Sequence, residues 1–313
     1  MGKSMKKVLV IVGPTAVGKT SLGIQLAKKY NGEIINGDSM QVYRELDIGT
    51  AKVTEAEKEG ITHYLMDCCD KQEAFNVADF QKKARACIDA IVAKGKLPII
   101  VGGTGLYIQG LLYDYQFGAN EQTETLKLRE KYQQFAQKNG KHALWELLKE
   151  RDPLAASKIH ANNLRKVIRA LEVVETTGQS ILAPKTTPDP CYDYYLIGLN
   201  TDRELLYERI NQRVDLMMVA GLEKEARLLE DIPDSQAAHG IGYKEFFPYF
   251  KGETSKEAVV TNIKKNSRHY AKRQLTWFRN RLTAHWFNLI EHPEEIQRLE
   301  EEIQKWKESS RDR

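Results

Sequence analysis

The apolar positions of this chain fall into strand-sized and helix-sized runs that alternate from the start. Val8–Val12 is five apolar residues in succession, Gly13–Gly18 is a glycine-bearing turn, and Lys19–Tyr30 has the length and residue types of a helix. Short apolar runs recur at Glu33–Asn36, His63–Met66 and Leu97–Val101, with a helical stretch from Val77 to Ala93 before the last of them. Strands alternating with helices predict an α/β fold, a parallel sheet with helices on both faces.

From about Gly118 to Pro190 the pattern turns polar, with helical spacing and few β-branched runs, and it closes in the Pro- and Thr-rich stretch Ala183–Pro190. This predicts an inserted all-helical domain over residues 118–194. Tyr194–Leu199 is another strand-like run, and Arg203–Glu230 and Val259–Arg281 are helical, so the chain is expected to return to its first sheet. The core then comprises residues 1–117 and 195–313. In the tail Pro293–Lys307, Ile296, Leu299, Ile303 and Trp306 stand at helical spacing and predict a helix packed on that core.

With 313 residues, 42% hydrophobic and 29% charged, the chain has the composition of an ordinary soluble protein with room for a sizeable core. Its longest apolar runs fall far short of the roughly 18 residues that cross a bilayer, and the basic start Met1–Lys7 leads straight into a strand without a secretory pattern. A cytoplasmic protein without a membrane partner is expected. Cys68, Cys69, Cys87 and Cys191 show no Cys-x-x-Cys spacing, which argues against zinc sites and disulfide frameworks. A net charge of +4 decides little, but the positive charge gathers in the second half of the chain.

The chemistry begins at Gly13, Pro14, Thr15, Ala16, Val17, Gly18, Lys19 and Thr20, a full match to Gly-x-x-x-x-Gly-Lys-Ser/Thr set between a strand and a helix. In such a phosphate loop, backbone N–H groups cradle phosphate oxygens and the helix N-terminus adds its dipole. Lys19 neutralises charge, and the Thr20 hydroxyl suits Mg²⁺. The motif does not name the phosphate ester. Most such loops hold ATP or GTP, so nucleotide binding by a kinase is the default reading.

The second strand runs into Gly37-Asp38-Ser39-Met40-Gln41, and the carboxyl ends of strands face ligands in open α/β sheets. Asp38 there suits a general base, a water-mediated Mg²⁺ ligand, or a cap on its own turn. Leu97–Val101 ends in Gly102-Gly-Thr-Gly105, where Thr104 fits either a substrate contact or a helix cap.

Gly13–Thr20, Gly37–Arg44, Asp47-Ile-Gly-Thr-Ala-Lys52 and Gly102–Tyr107 occur in this order. Arg169-Ala-Leu-Glu172, Arg209-Ile-Asn-Gln-Arg213, Gly240-Ile-Gly-Tyr243 and Lys272-Arg-Gln-Leu-Thr-Trp277 follow them. The ordered set resembles the tRNA dimethylallyltransferase family, in its bacterial form without a Cys/His finger, over nearly the whole chain. The one departure is Val17, at a loop position where a small residue is frequent. The resemblance implies that the loop holds dimethylallyl diphosphate and that N6 of adenosine-37, beside the tRNA anticodon, attacks the allylic carbon and releases diphosphate. It assigns proton acceptance to Asp38, positioning to Thr104, and stabilisation of the diphosphate to Lys19, Thr20, Mg²⁺ and an arginine, for which Arg209 and Arg213 are equal candidates.

The same resemblance implies tRNA contacts at Asp38, Ser39, Met40, Gln41 and Thr104, at Lys127, at Arg165, Lys166, Val167, Ile168 and Arg169, and at Arg268, Lys272 and Arg273. The residues bear on two of these assignments, although without the resemblance a solvated basic face is the default reading of Arg165–Arg169. Leu164, Val167, Ile168, Leu171 and Val174 form one apolar helix face and leave Arg165, Lys166 and Arg169 elsewhere. Asn262–Arg281 carries Lys264, Lys265, Arg268, Lys272, Arg273, Arg279 and Arg281 without an acidic residue, a basic stripe suited to a nucleic-acid backbone. Its aromatics Tyr270, Trp277 and Phe278 fall on the opposite face from most of the charge and are expected in the core. An adenine inside an anticodon loop must be splayed outward to react, and the cleft between core and insertion is the expected channel. The protein is expected to act as a monomer. The rival readings are a transferase acting on free AMP, which leaves the basic helix unexplained; a kinase, which leaves the motif order unexplained; and a non-catalytic RNA-binding module, which leaves Gly13–Thr20 and Asp38 without a role.

Overall fold

Residues 5–113, 119–183 and 188–309 are described by the computed structural model. Six strands form one sheet in the order β3-β2-β4-β1-β5-β6, with every neighbouring pair parallel. The strands are β1 (Lys7–Val12), β2 (Gly32–Asn36), β3 (His63–Tyr64), β4 (Leu97–Val101), β5 (Asp193–Leu199) and β6 (His285–Phe287). Parallel strands covered on both faces need apolar residues throughout, and β1 satisfies this: Val8 to Val12 are all fully buried. Val10 aligns with Ile100 on one side and Leu196 on the other.

Alternation along β1 sorts the core into two layers. Val8, Val10 and Val12 pack with Phe80 and Ile88 of α3 (Val77–Ala93), Ile108 of α4 (Gly105–Leu112) and Phe278 of α12 (Lys256–Arg281). Leu9 and Ile11 pack on the other face with Leu22 and Leu26 of α1 (Lys19–Lys29), Ile210 of α9 (Arg203–Ala220) and Ile303 of α13 (Glu295–Glu308). The short helices α2 (Glu55–Lys58), α10 (Leu222–Arg227) and α11 (Phe247–Phe250) complete this unit. The long helical stretch expected over Arg203–Glu230 is broken at Gly221, whose φ of +102° ends α9 before α10 begins. Strand β6 is only three residues long and carries no pattern of its own in the sequence.

Contacts divide the chain into a discontinuous unit, Met1–Asp114 with Asp189–Arg313, and a helical unit, Tyr115–Pro188. The sheet resumes at Asp193, ahead of the sequence-based end of the insertion at 194; its expected start at 117/118 lies outside the described residues. The helical unit contains α5 (Ala119–Asn139), α6 (Lys141–Arg151), α7 (Pro153–Ala156) and α8 (Leu164–Thr177). It has its own core, centred on Tyr132, Leu144, Leu148, Val167 and Leu171.

Candidate active site on the phosphate loop

Strands β2, β4 and β1 are neighbours in the sheet, so the turns leaving their carboxyl ends meet. The turn after β1 is the phosphate loop. Gly18 takes φ +92° as the N-cap of α1, and Ala16 takes φ +65°, a left-handed conformation that costs a residue with a Cβ about 1–2 kcal/mol. Arg209 braces that point by donating Nε to the Ala16 carbonyl at 2.9 Å. Val17 turns its side chain into the core, which accounts for the departure from a small residue. The Lys19 ammonium donates to the Pro14 carbonyl at 2.6 Å. Burial lowers its pKa to about 8, with the nearby Asp38 carboxylate acting against the shift and Arg213 adding to it. A lysine so placed gains from an anion that replaces the solvation it has lost.

The turn after β2 fixes Asp38 at both ends. Its N–H donates to Asn36 Oδ1 at 3.0 Å, and its Oδ1 accepts the Met40 N–H at 2.8 Å. One carboxylate oxygen thus caps the turn, while Oδ2 has no hydrogen-bond partner among the described residues. The turn after β4 brings Thr104 against it: Thr104 Oγ1 accepts the Ser39 N–H at 3.0 Å and lies 3.2 Å from Ser39 Oγ. Thr104 stands at the N-cap of α4 but makes no side-chain cap bond, so its hydroxyl serves the Asp38 turn rather than the helix. Gly102 allows the two turns to touch, since a Cβ there would lie 2.2 Å from the Gly37 backbone.

Two cavities open on these turns. One, of about 370 Å³, is lined by Lys19, Thr20, Asp38, Arg213, Tyr270 and Gln274, together with apolar side chains from α9 and α12 such as Val214, Met217 and Ile263. The other, of about 740 Å³, lies along the phosphate loop and α1 and is bordered by both Arg209 and Arg213. Lys19, Thr20 and Arg213 belong to both, so the phosphate grip stands at their junction. Here the two arginines separate: Arg209 spends Nε on the loop carbonyl, whereas Arg213 is drawn in among charges, with burial lowering its pKa against the attraction of Asp38 and Glu57.

Gln41, Asp47–Lys52 and Gly240–Tyr243 build the wall around this cavity. Gln41 donates Nε2 to the Thr50 carbonyl at 3.0 Å. The buried Glu225 carboxylate accepts the N–H groups of Asp47, Ile48 and Gly49, each at 2.8 Å, and the Tyr243 hydroxyl at 2.7 Å. Met40 packs beside Gly240, where a Cβ would meet its Cε at 2.5 Å.

Helix α12 differs from its expected division into charged and core faces. Ile263 and Phe278 are buried, but Tyr270 lines the cavity, which corrects its placement in the core. Burial raises the Tyr270 pKa, helped by the charge on Asp38 and opposed by hydrogen bonds from Thr104 and Gln274. Lys265, Lys272, Arg273, Arg279 and Arg281 are exposed. Lys264 pairs with Asp215 at 2.6 Å, and Arg268 donates to Asn211 Oδ1 at 2.6 Å. Gln274 and Tyr270 were missed as site residues; the cavity-facing spacing Ile263, Ser267, Tyr270, Gln274 was the available signal, a mixed polar stripe hidden in a basic run.

In the helical unit, Lys127, Arg165, Lys166 and Arg169 are exposed, and Arg169 is paired with Glu172 at 3.0 Å. Val167 and Ile168 are 0% and 5% exposed within that unit's core. Their expected tRNA contacts are therefore corrected: these side chains hold the helix in place and are not available to a ligand.

The strand–loop–helix grip and the carboxylate at the end of β2, one strand beyond β4 in the sheet, define a phosphate-loop enzyme of the α/β class. A family model described as IPP transferase matches residues 41–281. The chain belongs to the IPP transferase family. It is 64% identical over 302 residues to a tRNA dimethylallyltransferase of Enterococcus faecalis, covering 96% of this chain and 98% of that one. It is 52% identical over 306 residues to the protein of the same name from Latilactobacillus sakei, covering 96% and 98%. The full-length tRNA isopentenylpyrophosphate transferase of Bacillus halodurans is similar in structure with a TM-score of 0.72, at 44% identity over 96% of each chain. A eukaryotic dimethylallyltransferase acting on tRNA gives a TM-score of 0.72 at 33% identity, over 87% of this chain and 70% of its own.

Proposed function

We propose that this chain transfers the dimethylallyl group of dimethylallyl diphosphate to N6 of adenosine-37 in tRNA. The observation that carries the reading is that Lys19, Thr20 and Arg213 border the same cavity as Asp38 and an apolar wall. The cations face the diphosphate, the apolar wall takes the dimethylallyl chain, and Asp38 faces the nucleophile. In the reaction, the N6 lone pair forms a bond to C1 of the allyl group as the C1–O bond breaks and its electrons leave with diphosphate. The N6 proton passes to Oδ2 of Asp38, while Oδ1 keeps the turn in place. Thr104 positions that turn through Ser39, and Arg213 is the arginine that meets the diphosphate; Arg209 acts on the loop itself.

Mg²⁺ suits this site by the hardness of its oxygen donors. Among the described residues no group of three or more His, Cys, Asp or Glu is disposed to hold a metal, and Mg²⁺ is commonly held by one or two protein oxygens with substrate phosphates and water. Thr20, with Asp38 through water, would hold it. There it would supply neutralisation of charge on the leaving diphosphate.

The exposed cations Lys272 and Arg273 on α12, with Lys127, Arg165 and Lys166 on the helical unit, are the proposed contacts to the RNA backbone. Among the described residues no helix is long and apolar enough to cross a membrane; the cytoplasmic site of action is proposed from the tRNA substrate. The test is transfer of label from radiolabelled dimethylallyl diphosphate, with Mg²⁺, to unmodified tRNA or to AMP. Label entering tRNA alone is the expected result; label entering AMP alone, or neither acceptor, refutes the assignment.

A further inference from the structure

The most deeply committed side chain around the phosphate loop belongs to a residue with no charge. Gln274 lies 5% exposed on α12. Its Oε1 accepts the Thr15 N–H at 3.0 Å, and its Nε2 donates to the Gly103 carbonyl at 3.0 Å. The amide orientation is fixed by those partners, because an NH₂ facing the Thr15 N–H would put donor against donor. The contact is close: a Cβ on residue 103 would fall 2.2 Å from Nε2. One amide therefore joins the turn after β1, which grips phosphate, to the turn after β4, which carries Thr104 and through it the Asp38 turn.

Apolar and acidic side chains of similar size fail one or both demands. A leucine or methionine would leave the Thr15 N–H and the Gly103 carbonyl without partners in a buried place. A glutamate would keep the acceptor for Thr15 but set a carboxylate oxygen against a carbonyl. We propose that Gln274 is a positioning residue for the reaction: it holds the phosphate loop in register with the β4 turn, so that the diphosphate grip and the Thr104-braced carboxylate face one cavity at a fixed separation. This rests on the transferase reading for the reaction it serves, but its effect on diphosphate affinity does not.

The test compares Gln274→Met, Gln274→Glu and Gly103→Ala with the unaltered protein. Gly103→Ala displaces the amide from the opposite side without altering the sequence of α12. KM for dimethylallyl diphosphate, KM for tRNA and kcat are measured, along with binding of inorganic diphosphate and Mg²⁺ to the protein alone. Losing both buried hydrogen bonds is expected to weaken diphosphate binding by roughly tenfold or more in Gln274→Met. Gly103→Ala should show a similar loss and Gln274→Glu one at least as large, because its carboxylate faces a carbonyl and the bound anion, with KM for tRNA moving less than about threefold in each. A variant that merely misfolds lowers the active fraction, and hence kcat, while leaving KM and the diphosphate Kd unchanged; that outcome overturns the proposal, as does equal weakening of diphosphate and tRNA. If Gln274→Met does not fold, the other two variants decide by the same readout. Failure of the unaltered protein to label tRNA would sink the functional reading alone, because the inorganic diphosphate measurement needs no transfer.

Discussion

Asp38 does two things with its two oxygens, and replacing it by asparagine separates them. Asp38→Asn keeps an oxygen to accept the Met40 N–H, the bond of 2.8 Å that holds the turn, but removes the capacity to take a proton. Asp38→Ala removes both. A positioned general base contributes roughly 10²–10⁴ in rate, or about 3–5 kcal/mol, whereas one neutral hydrogen bond contributes ~1 kcal/mol. The two variants should therefore lose transfer by similar large factors, with Asp38→Ala worse by less than about tenfold. The assay is single-turnover transfer at saturating tRNA and dimethylallyl diphosphate, run well below the Lys19 pKa of about 8, so that the phosphate grip stays charged when its neighbour is neutralised. If Asp38→Asn keeps its rate within about threefold while Asp38→Ala loses it, the carboxylate is a turn cap and the assigned base is wrong.

Lys19 gives a pH dependence of definite sign. Burial holds its pKa near 8 against an ordinary 10.5, so kcat/KM for dimethylallyl diphosphate should fall as the pH rises through about 8 and the cation is lost; a flat profile to pH ~10 would contradict this. In the unliganded protein the same shift runs the other way, because the unfolded chain holds the proton that the folded one has released, and stability from this group rises between about 8 and 10.5. Glu225→Gln leaves three backbone N–H groups and a tyrosine hydroxyl sharing one carbonyl oxygen, and should lower unfolding free energy by about 2 kcal/mol in a urea titration; an unchanged midpoint would show that Asp47–Gly49 does not depend on it. Lys272→Ala and Arg273→Ala should each weaken tRNA binding at every sequence tested and reduce the slope of log K against log salt by about 1. A loss confined to one tRNA sequence, with the slope intact, would mean that they read bases instead.

What was legible in the sequence was whatever the chain satisfies within a few residues of itself. The phosphate loop needs its glycines, lysine and threonine in contiguous order because consecutive backbone N–H groups form the cradle, and it stands between β1 and α1 as its sequence required. Val77–Ala93 could be bounded because Asn76 and Asp79 close a capping box at its start, and Leu97–Val101 because a central parallel strand is apolar along its length. The domain interruption showed itself as a change of period from strand to helix. The remainder depended on partners far away in the chain. Gln274 bonds a residue 259 positions earlier, and the exposed Lys272 and Arg273 that precede it do not hint that its own side chain is buried. Arg209 and Arg213 stand one helical turn apart with the same chemistry, and what tells them apart lies far away in the chain: the Ala16 carbonyl for one, the Asp38 cavity for the other. Tyr270 and Phe278 looked alike as aromatics away from the charged stripe, yet Phe278 meets the sheet while Tyr270 meets a cavity. A helical period reports which residues share a face, and what that face meets is decided by elements the period does not contain. The error at Val167 and Ile168 runs the same way: inside a contiguous motif they inherit the role of their charged neighbours, although the apolar stripe they belong to already required their side chains to point inward.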